Sequence, residues 1–125
     1  MAATIYLLDR DGKLINSFAA PATAPSGITF DGKYLWVADN VAATIYKLDL
    51  KGNVIKSFAA PYTNPQGLVF DGKYLWHIGG SVATIIQLDL NGNLIKDFGV
   101  SGIDAAPKGL AFDGKHLWMT GAGGT

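Results

Sequence analysis

The chain has 125 residues, no cysteine, and ten basic residues balanced by ten acidic ones. This length suits one ordinary domain, and the zero net charge gives no overall field to attract nucleic acid or an anionic membrane. The lack of cysteine excludes a disulfide framework and a thiolate metal site. No apolar run is long enough to cross a bilayer, and strand-like residues follow Met1 without a signal peptide. We therefore expect a cytoplasmic or recombinant protein with no nucleic-acid or membrane partner.

The composition favours an all-β protein. Every acidic residue is Asp, and the chain carries 16 Gly and 5 Pro. Glu is a good helix former, whereas Asp, Gly and Pro favour turns. No stretch shows a convincing helical period, so the predicted elements are all strands.

The predicted strands follow a repeat with a period of about 40 residues. Residues 3–18 read "ATIYLLDRDGKLINSF", and close copies of this segment begin at Ala43 and Ala83. After each copy comes a second repeated phrase, "FDGKYLW" at 30–36 and 70–76 and "FDGKHLW" at 112–118. A strand-rich unit of this length is typical of a propeller blade, while helical repeats of similar length need amphipathic helices.

Four strands are predicted in each unit, labelled A to D from the hub outward. In the first complete unit they are "GITF", "KYLWVA", "ATIYKLDL" and "VIKSF". Asp31-Gly32 predicts a two-residue hairpin between A and B, and Lys51-Gly52-Asn53 predicts the turn between C and D. The strands are apolar on both faces, as a blade buried between two neighbours requires.

The repeat boundaries predict half of a ring, with residues 1–125 forming a single half-propeller. Strands C and D of a shared blade are expected at 3–18, complete blades at 19–58 and 59–98, and strands A and B plus a tail at 99–125. Three blades are fewer than the roughly four to eight that propellers use. Two copies that exchange their terminal half-blades would form a six-bladed C2 homodimer with every blade edge covered.

The segments "PSGITFDGKYLWVADN" and "TIYKLDLKGNVIKSF" resemble the six- and seven-bladed NHL-like and virginiamycin B lyase-like propellers. Repeats of that kind have a P-x-G-(I/L)-x-F start, a D-G turn, an L-W strand and an I-x-x-(L/I)-D-x-x-G stretch. The resemblance covers nearly the whole chain and implies a propeller fold. Propellers of this kind include a lyase that uses histidine, glutamate and magnesium, binders of carbohydrate or peptide, and scaffolds. A chain without Glu lacks that full catalytic set, so we expect no cofactor.

Several repeated side chains have expected structural roles. Trp36, Trp76 and Trp118 occupy one blade position and are predicted to pack between blades. Asp39-Asn40 is predicted to cap the turn between strands B and C rather than to bind a metal, since short polar side chains bond their own backbone there. The close similarity of the copies is typical of recent amplification, a reconstructed ancestor or a designed protein.

Candidate ligand-binding residues lie where the copies diverge, at the end of the predicted ring that carries the D–A and B–C loops. Ser26, Gln66 and Lys108 share one position between Pro and Gly, and in a ring they would face the mouth of the central channel. Two lysines there could hold a carboxylate or phosphate, and the alternative is a solvated rim. His77 is a possible base or ligand-binding residue, although a half-buried histidine with one hydrogen bond is favoured.

Three functions follow from these observations. The favoured one is a non-enzymatic repeat scaffold that assembles with itself and has no catalytic residue. The second is a binding module for a small anionic or carbohydrate ligand at the channel mouth, through Ser26, Gln66, Lys108 and His77. The third is a lyase- or hydrolase-like enzyme that uses His77. The sequence names no particular ligand.

Overall fold

A computed structural model describes residues 3–123, which form twelve β-strands and no helix. The strands are β1 (Thr4–Leu8), β2 (Leu14–Ala19), β3 (Pro25–Phe30), β4 (Leu35–Asp39), β5 (Thr44–Leu48), β6 (Val54–Ala59), β7 (Pro65–Phe70), β8 (Leu75–Gly79), β9 (Thr84–Leu88), β10 (Leu94–Gly99), β11 (Pro107–Phe112) and β12 (Leu117–Gly121). Within this range, no helix is present that is long and apolar enough to pass through a bilayer.

The strands form four antiparallel sheets in chain order. The first blade is β3-β4-β5-β6 and the second blade is β7-β8-β9-β10. A two-stranded sheet precedes them, β1-β2, and another follows them, β11-β12; we call these the N-terminal and C-terminal half-blades. The structure thus confirms the predicted all-β propeller architecture, with two four-stranded blades flanked by two pairs of strands.

The turns between strands A and B are two residues longer than the predicted two-residue hairpin, and both extra residues lie on the strand B side. β3 ends at Phe30 and β4 begins at Leu35. The Asp31 carboxylate accepts hydrogen bonds from the backbone N–H groups of Lys33 and Tyr34, at 2.9 and 2.7 Å. The Asp31 N–H still donates to the Tyr34 carbonyl oxygen at 3.1 Å, but the Tyr34 N–H is taken by the carboxylate, so the regular strand begins at Leu35.

The core lies between the flat faces of consecutive sheets. One apolar cluster joins Trp36, Ala38 and Ile45 of the first blade to Leu68, Leu75, Ile86 and Leu88 of the second. A second cluster joins Ile78, Ala83, Ile85 and Val100 of the second blade to partly buried residues of the C-terminal half-blade. This arrangement explains why the strands are apolar on both faces.

The inner strands β3, β7 and β11 approach one another at glycines. A Cβ atom on Gly27 would lie 2.7 Å from the backbone nitrogen of Leu68, and one on Gly67 would lie 3.3 Å from that of Leu110. At Gly27 a side chain would force the inner strands apart, and at Gly67 the tight contact and the positive φ of 52° also favour glycine, so the glycines set the spacing of these strands.

Candidate functional site

The three predicted mouth residues lie at equivalent positions on adjacent inner strands. Ser26 is on β3, Gln66 on β7 and Lys108 on β11. The Ser26 hydroxyl lies 2.6 Å from the Pro65 carbonyl oxygen and therefore ties β3 to β7. Ser26 is partly buried, whereas Lys108 is exposed. The structure brings the inner strands together as predicted, with the serine engaged between strands and the lysine open to solvent.

Gln66 packs against the loop that follows β8. A Cβ atom on Gly80 would lie 2.9 Å from Gln66 Nε2 and 2.9 Å from Asn64 Nδ2. The two amide side chains occupy the space that a side chain at position 80 would need. The "GG" pair in the second copy therefore makes room for these amides.

His77 lies on β8 and is fully buried, which differs from the half-buried position favoured by the sequence. Its cross-strand neighbours Leu68 and Ile86 belong to the cluster between the first and second blades. Nδ1 lies 3.2 Å from the Ile78 carbonyl oxygen, and within residues 3–123 Nε2 has no hydrogen-bond partner. Burial lowers the pKa of His77 below its ordinary value of 6.5, against a smaller opposing effect of the Ile78 carbonyl.

This environment makes His77 a neutral, buried imidazole at neutral pH. In the described part of the chain, no group of three His or Asp side chains is placed to hold a metal ion. The imidazole of His77 is fully buried, whereas Lys108 is exposed to solvent. These two candidate residues therefore do not lie on one open surface.

Each A–B turn holds a tryptophan through its indole nitrogen. Trp36 Nε1 donates to Asp31 Oδ2 at 2.8 Å. The equivalent pairs are Trp76 with Asp71 at 2.7 Å and Trp118 with Asp113 at 2.7 Å. Burial raises the pKa of the Asp31 carboxyl, but the indole N–H and two backbone N–H groups outweigh it, so that pKa lies below its ordinary 3.8. The constant spacing of five residues between Asp and Trp in all three copies indicates this hydrogen bond, which was not predicted from the sequence.

The predicted cap at Asp39 is present and fully buried. Its carboxylate accepts from the backbone N–H groups of Ala24, Val41 and Ala42, at 2.7, 3.1 and 2.9 Å. One side chain thus joins the loop before β3 to the loop after β4. This role is structural, as expected.

In the third copy, a carboxylate from another part of the sequence occupies the place of the Asp39 carboxylate. Gly121 is the equivalent of Asp39, and a Cβ atom on Gly121 would collide with the carboxylate of Asp104. Asp104 accepts from the backbone N–H groups of Ala106 and Gly123, at 2.7 and 3.2 Å. The longer loop before β11 therefore supplies the carboxylate that strand B supplies in the first blade.

The two ends of the chain expose apolar residues whose equivalents are buried. Tyr6 is 62% exposed, whereas Ile86 at the same position of the second blade is 0% exposed. At the other end Trp118 is 63% exposed, whereas Trp36 is 0% exposed. Sequence repetition predicted that all three tryptophans pack between blades, and for Trp118 the single chain provides no such neighbour.

Two apolar depressions adjoin these ends. The N-terminal gap, of about 390 Å³, lies between β1 and the first blade and is lined by Tyr6, Ser26, Ile28 and Val37 among others. The C-terminal groove, of about 340 Å³, lies between the second blade and the C-terminal half-blade and is lined by Phe98, Val100, Ile103, Leu110 and Met119 among others. Each depression lies beside a half-blade, at the place of the two strands that the four-stranded blades have and the half-blade lacks.

Comparison with solved structures shows what this architecture is similar to. Virginiamycin B lyase from Staphylococcus aureus, in its selenomethionine form, matches with a TM-score of 0.69 and 25% identity, over 90% of this chain and 40% of that one. A streptogramin B lyase structure gives 0.68 and 19%, over 90% and 39%. Glutaminyl cyclase from Myxococcus xanthus gives 0.77 and 10%, over 94% and 53%.

These matches confirm the predicted resemblance to virginiamycin B lyase-like propellers and define the fold as a β-propeller. This chain spans between 39% and 53% of the lengths of those three structures. No protein-family model matches the sequence, and no curated protein matches it significantly.

Proposed function

We propose that this chain is a non-enzymatic repeat scaffold that assembles with a second copy of itself into a six-bladed β-propeller of twofold symmetry. The observation that carries the proposal is the exposure of apolar side chains beside two unpaired strand edges. Within residues 3–123, β1 pairs with β2 alone and β12 pairs with β11 alone. The equivalent strands of both complete blades have a neighbour on each side.

The complete blades supply the register for the missing strand pair. Ile78 of β8 lies opposite Ile85 of β9, and Ala38 of β4 lies opposite Ile45 of β5. Applied to β12 and the β1 strand of a second copy, the same register places Thr120 opposite Ile5. The pairing would complete a four-stranded blade from two chains.

The apolar surfaces at the two ends are complementary in position. In the shared blade, Tyr6 and Leu8 of one copy would enter the C-terminal groove of the other, as Ile86 and Leu88 enter the interface between the first and second blades. Trp118 would enter the N-terminal gap beside Ile28. Removing this area from water supplies the driving force for assembly, because free energy scales with the apolar area buried.

Twofold symmetry uses both ends of each chain at once. Each copy gives its C-terminal half-blade to one shared blade and its N-terminal half-blade to the other, which is the isologous contact typical of C2 dimers. Six blades fall within the range of roughly four to eight that propellers use. Closure also removes the open strand edges that otherwise favour aggregation.

The scaffold assignment has support at the candidate residues, although the similar structures include lyases. The imidazole of His77 is buried among apolar side chains, and the hydroxyl of Ser26 is engaged by the Pro65 carbonyl. The near-identical copies of "FDGKYLW" support an engineered or ancestral-type sequence whose repeats are selected for packing.

A cysteine pair tests the assembly directly, because the native sequence has no cysteine. Ile5→Cys and Thr120→Cys are placed in one chain and oxidised mildly. Directly opposed strand residues lie within disulfide range, so a covalent dimer should appear on a denaturing gel and disappear on reduction. The control replaces Ile5→Cys with Tyr6→Cys, whose side chain points to the other face of the sheet and should not cross-link. Absence of the dimer with both thiols reactive would contradict the proposal.

A second candidate function is binding of a small anion at the channel mouth, and the exposure of Lys108 favours it. In the closed ring two copies of Lys108 would face the same channel. Calorimetric titration with inorganic phosphate should then show binding that Lys108→Ala removes. Lys115→Ala changes the same charge at an A–B turn on the opposite end and should leave that binding unchanged. Equal phosphate binding by both variants would exclude the mouth.

A further inference from the structure

The outer rim of the propeller contains a repeated contact between a phenylalanine and a glycine. A Cβ atom on Gly52 would lie 2.6 Å from Phe18 Cδ1, and one on Gly92 would lie 2.6 Å from Phe58 Cγ. In both cases the ring comes from strand D of one sheet and the glycine from the C–D turn of the next. Each ring therefore lies directly on the bare backbone of the following blade.

The third phenylalanine, Phe98, and the third glycine, Gly12, have no contact of this kind within the same chain. Phe98 is 43% exposed, whereas Phe18 and Phe58 are partly buried. Gly12 is exposed, and a Cβ atom on it would meet nothing within 4 Å among the described residues. Its φ of 86° matches the 92° of Gly52, so the Gly12 turn already has the conformation that receives a ring.

A polar contact accompanies the ring where both blades are present. Lys56 Nζ donates to Asn91 Oδ1 at 2.8 Å, which connects β6 to the C–D turn of the second blade. The sequence repeat assigns Lys96 as the equivalent of Lys56, and Asp11 as the equivalent of Asn91. The unmatched rim of each chain therefore carries a lysine at one end and a carboxylate at the other.

We propose that in the ring of the proposed function, on which this inference rests, Lys96 of one copy forms an ion pair with Asp11 of the other beside a Phe98–Gly12 contact. The twofold ring contains this outer seam twice. Within the chain the Lys56 contact has a neutral partner, so opposite charges mark the seam between copies. Because the lysine is near one end of the chain and the carboxylate near the other, the ion pair favours association with a second copy of the same chain.

Reciprocal charge changes test the seam. Lys96→Asp alone places two carboxylates at both seams of its homodimer, and Asp11→Lys alone places two lysines there. Each variant should raise the dimer dissociation constant about thirtyfold at low ionic strength, since exposed pairs are weak and two seams change from attraction to repulsion. A mixture of the two variants makes both seams attractive again, so the heterodimer should form with an affinity close to that of the unchanged protein.

Lys56→Asp is the matched control, because it makes the same charge change at a contact inside one chain. Its dissociation constant should stay within about twofold of the original, by native mass spectrometry and sedimentation. Raising the salt should reduce the difference between variants, since exposed charges are screened beyond about 10 Å at 0.1 M ionic strength. If the unchanged protein dimerises but Lys96→Asp dimerises as tightly, the ion pair is refuted and the ring stands. If the unchanged protein is monomeric, the ring itself is refuted.

Discussion

Trp118→Ala separates the energetics of assembly from those of the single chain. The indole is 63% exposed in one copy, whereas the equivalent Trp36 is 0% exposed. A buried tryptophan removes about 200 Å² from water, so about 125 Å² of each Trp118 would be newly covered in the ring. At about 25 cal/mol per Å², this corresponds to about 3 kcal/mol per indole and about 6 kcal/mol for the two in a dimer.

The expected result is a dimer dissociation constant raised about 10⁴-fold by Trp118→Ala, since about 1.4 kcal/mol corresponds to a factor of ten. Sedimentation velocity across a wide concentration range measures this change, and circular dichroism reports whether the strands persist. Trp36→Ala is the control: it removes a buried indole inside one chain and should lower the free energy of unfolding by about 3–5 kcal/mol. Dimerisation of Trp118→Ala as tight as that of the unchanged protein would refute the packing argument.

Three further changes test the interior. His77→Val introduces the side chain that Val37 has at the equivalent position of the first blade. The variant should lose less folding free energy below pH 6.5 than the unchanged protein. The lowered pKa means that the unfolded chain binds the proton more readily, so stability decreases as the pH falls below 6.5. Chemical denaturation at pH 7 and pH 5 compares the variant with the unchanged protein, and equal pH dependence of the two would contradict this. Asp39→Ala leaves three backbone N–H groups without their acceptor and should cost about 3 kcal/mol or more in thermal or denaturant unfolding; a cost under about 1 kcal/mol would contradict the cap. Gly27→Ala places a Cβ atom 2.7 Å from the Leu68 nitrogen and should lower the melting temperature, and an unchanged melting temperature would contradict close hub packing. Gly114→Ala, which has open space around it and a φ of 100°, measures the cost of backbone strain alone.

The repeat made the architecture predictable, because periodicity, turn residues and two-faced apolar strands all indicate the same sheet order. The start of β4 was harder to predict from the sequence, because the carboxylate of Asp31 takes the Tyr34 N–H at the A–B turn and the strand therefore begins at Leu35. Propensity alone does not contain this competition between side chain and backbone.

The candidate site was predicted less well, because its residues depend on packing between sheets. The sequence placed Ser26 and Gln66 at the start of strand A, and they lie on β3 and β7, but their contacts with Pro65 and Gly80 depend on the separation of the inner strands. Asp104 replaces the Asp39 carboxylate from an inserted loop, and no alignment of the copies pairs these two positions. Full burial of His77 likewise depends on the face of the neighbouring blade.

The native mass in solution tests the central claim most directly. Native mass spectrometry and light scattering should both give twice the 13.2 kDa of one chain, which corresponds to two copies and six blades. A mass of 13.2 kDa at all concentrations would contradict exchange of the half-blades, and a mass of three chains would imply nine blades and contradict the twofold ring.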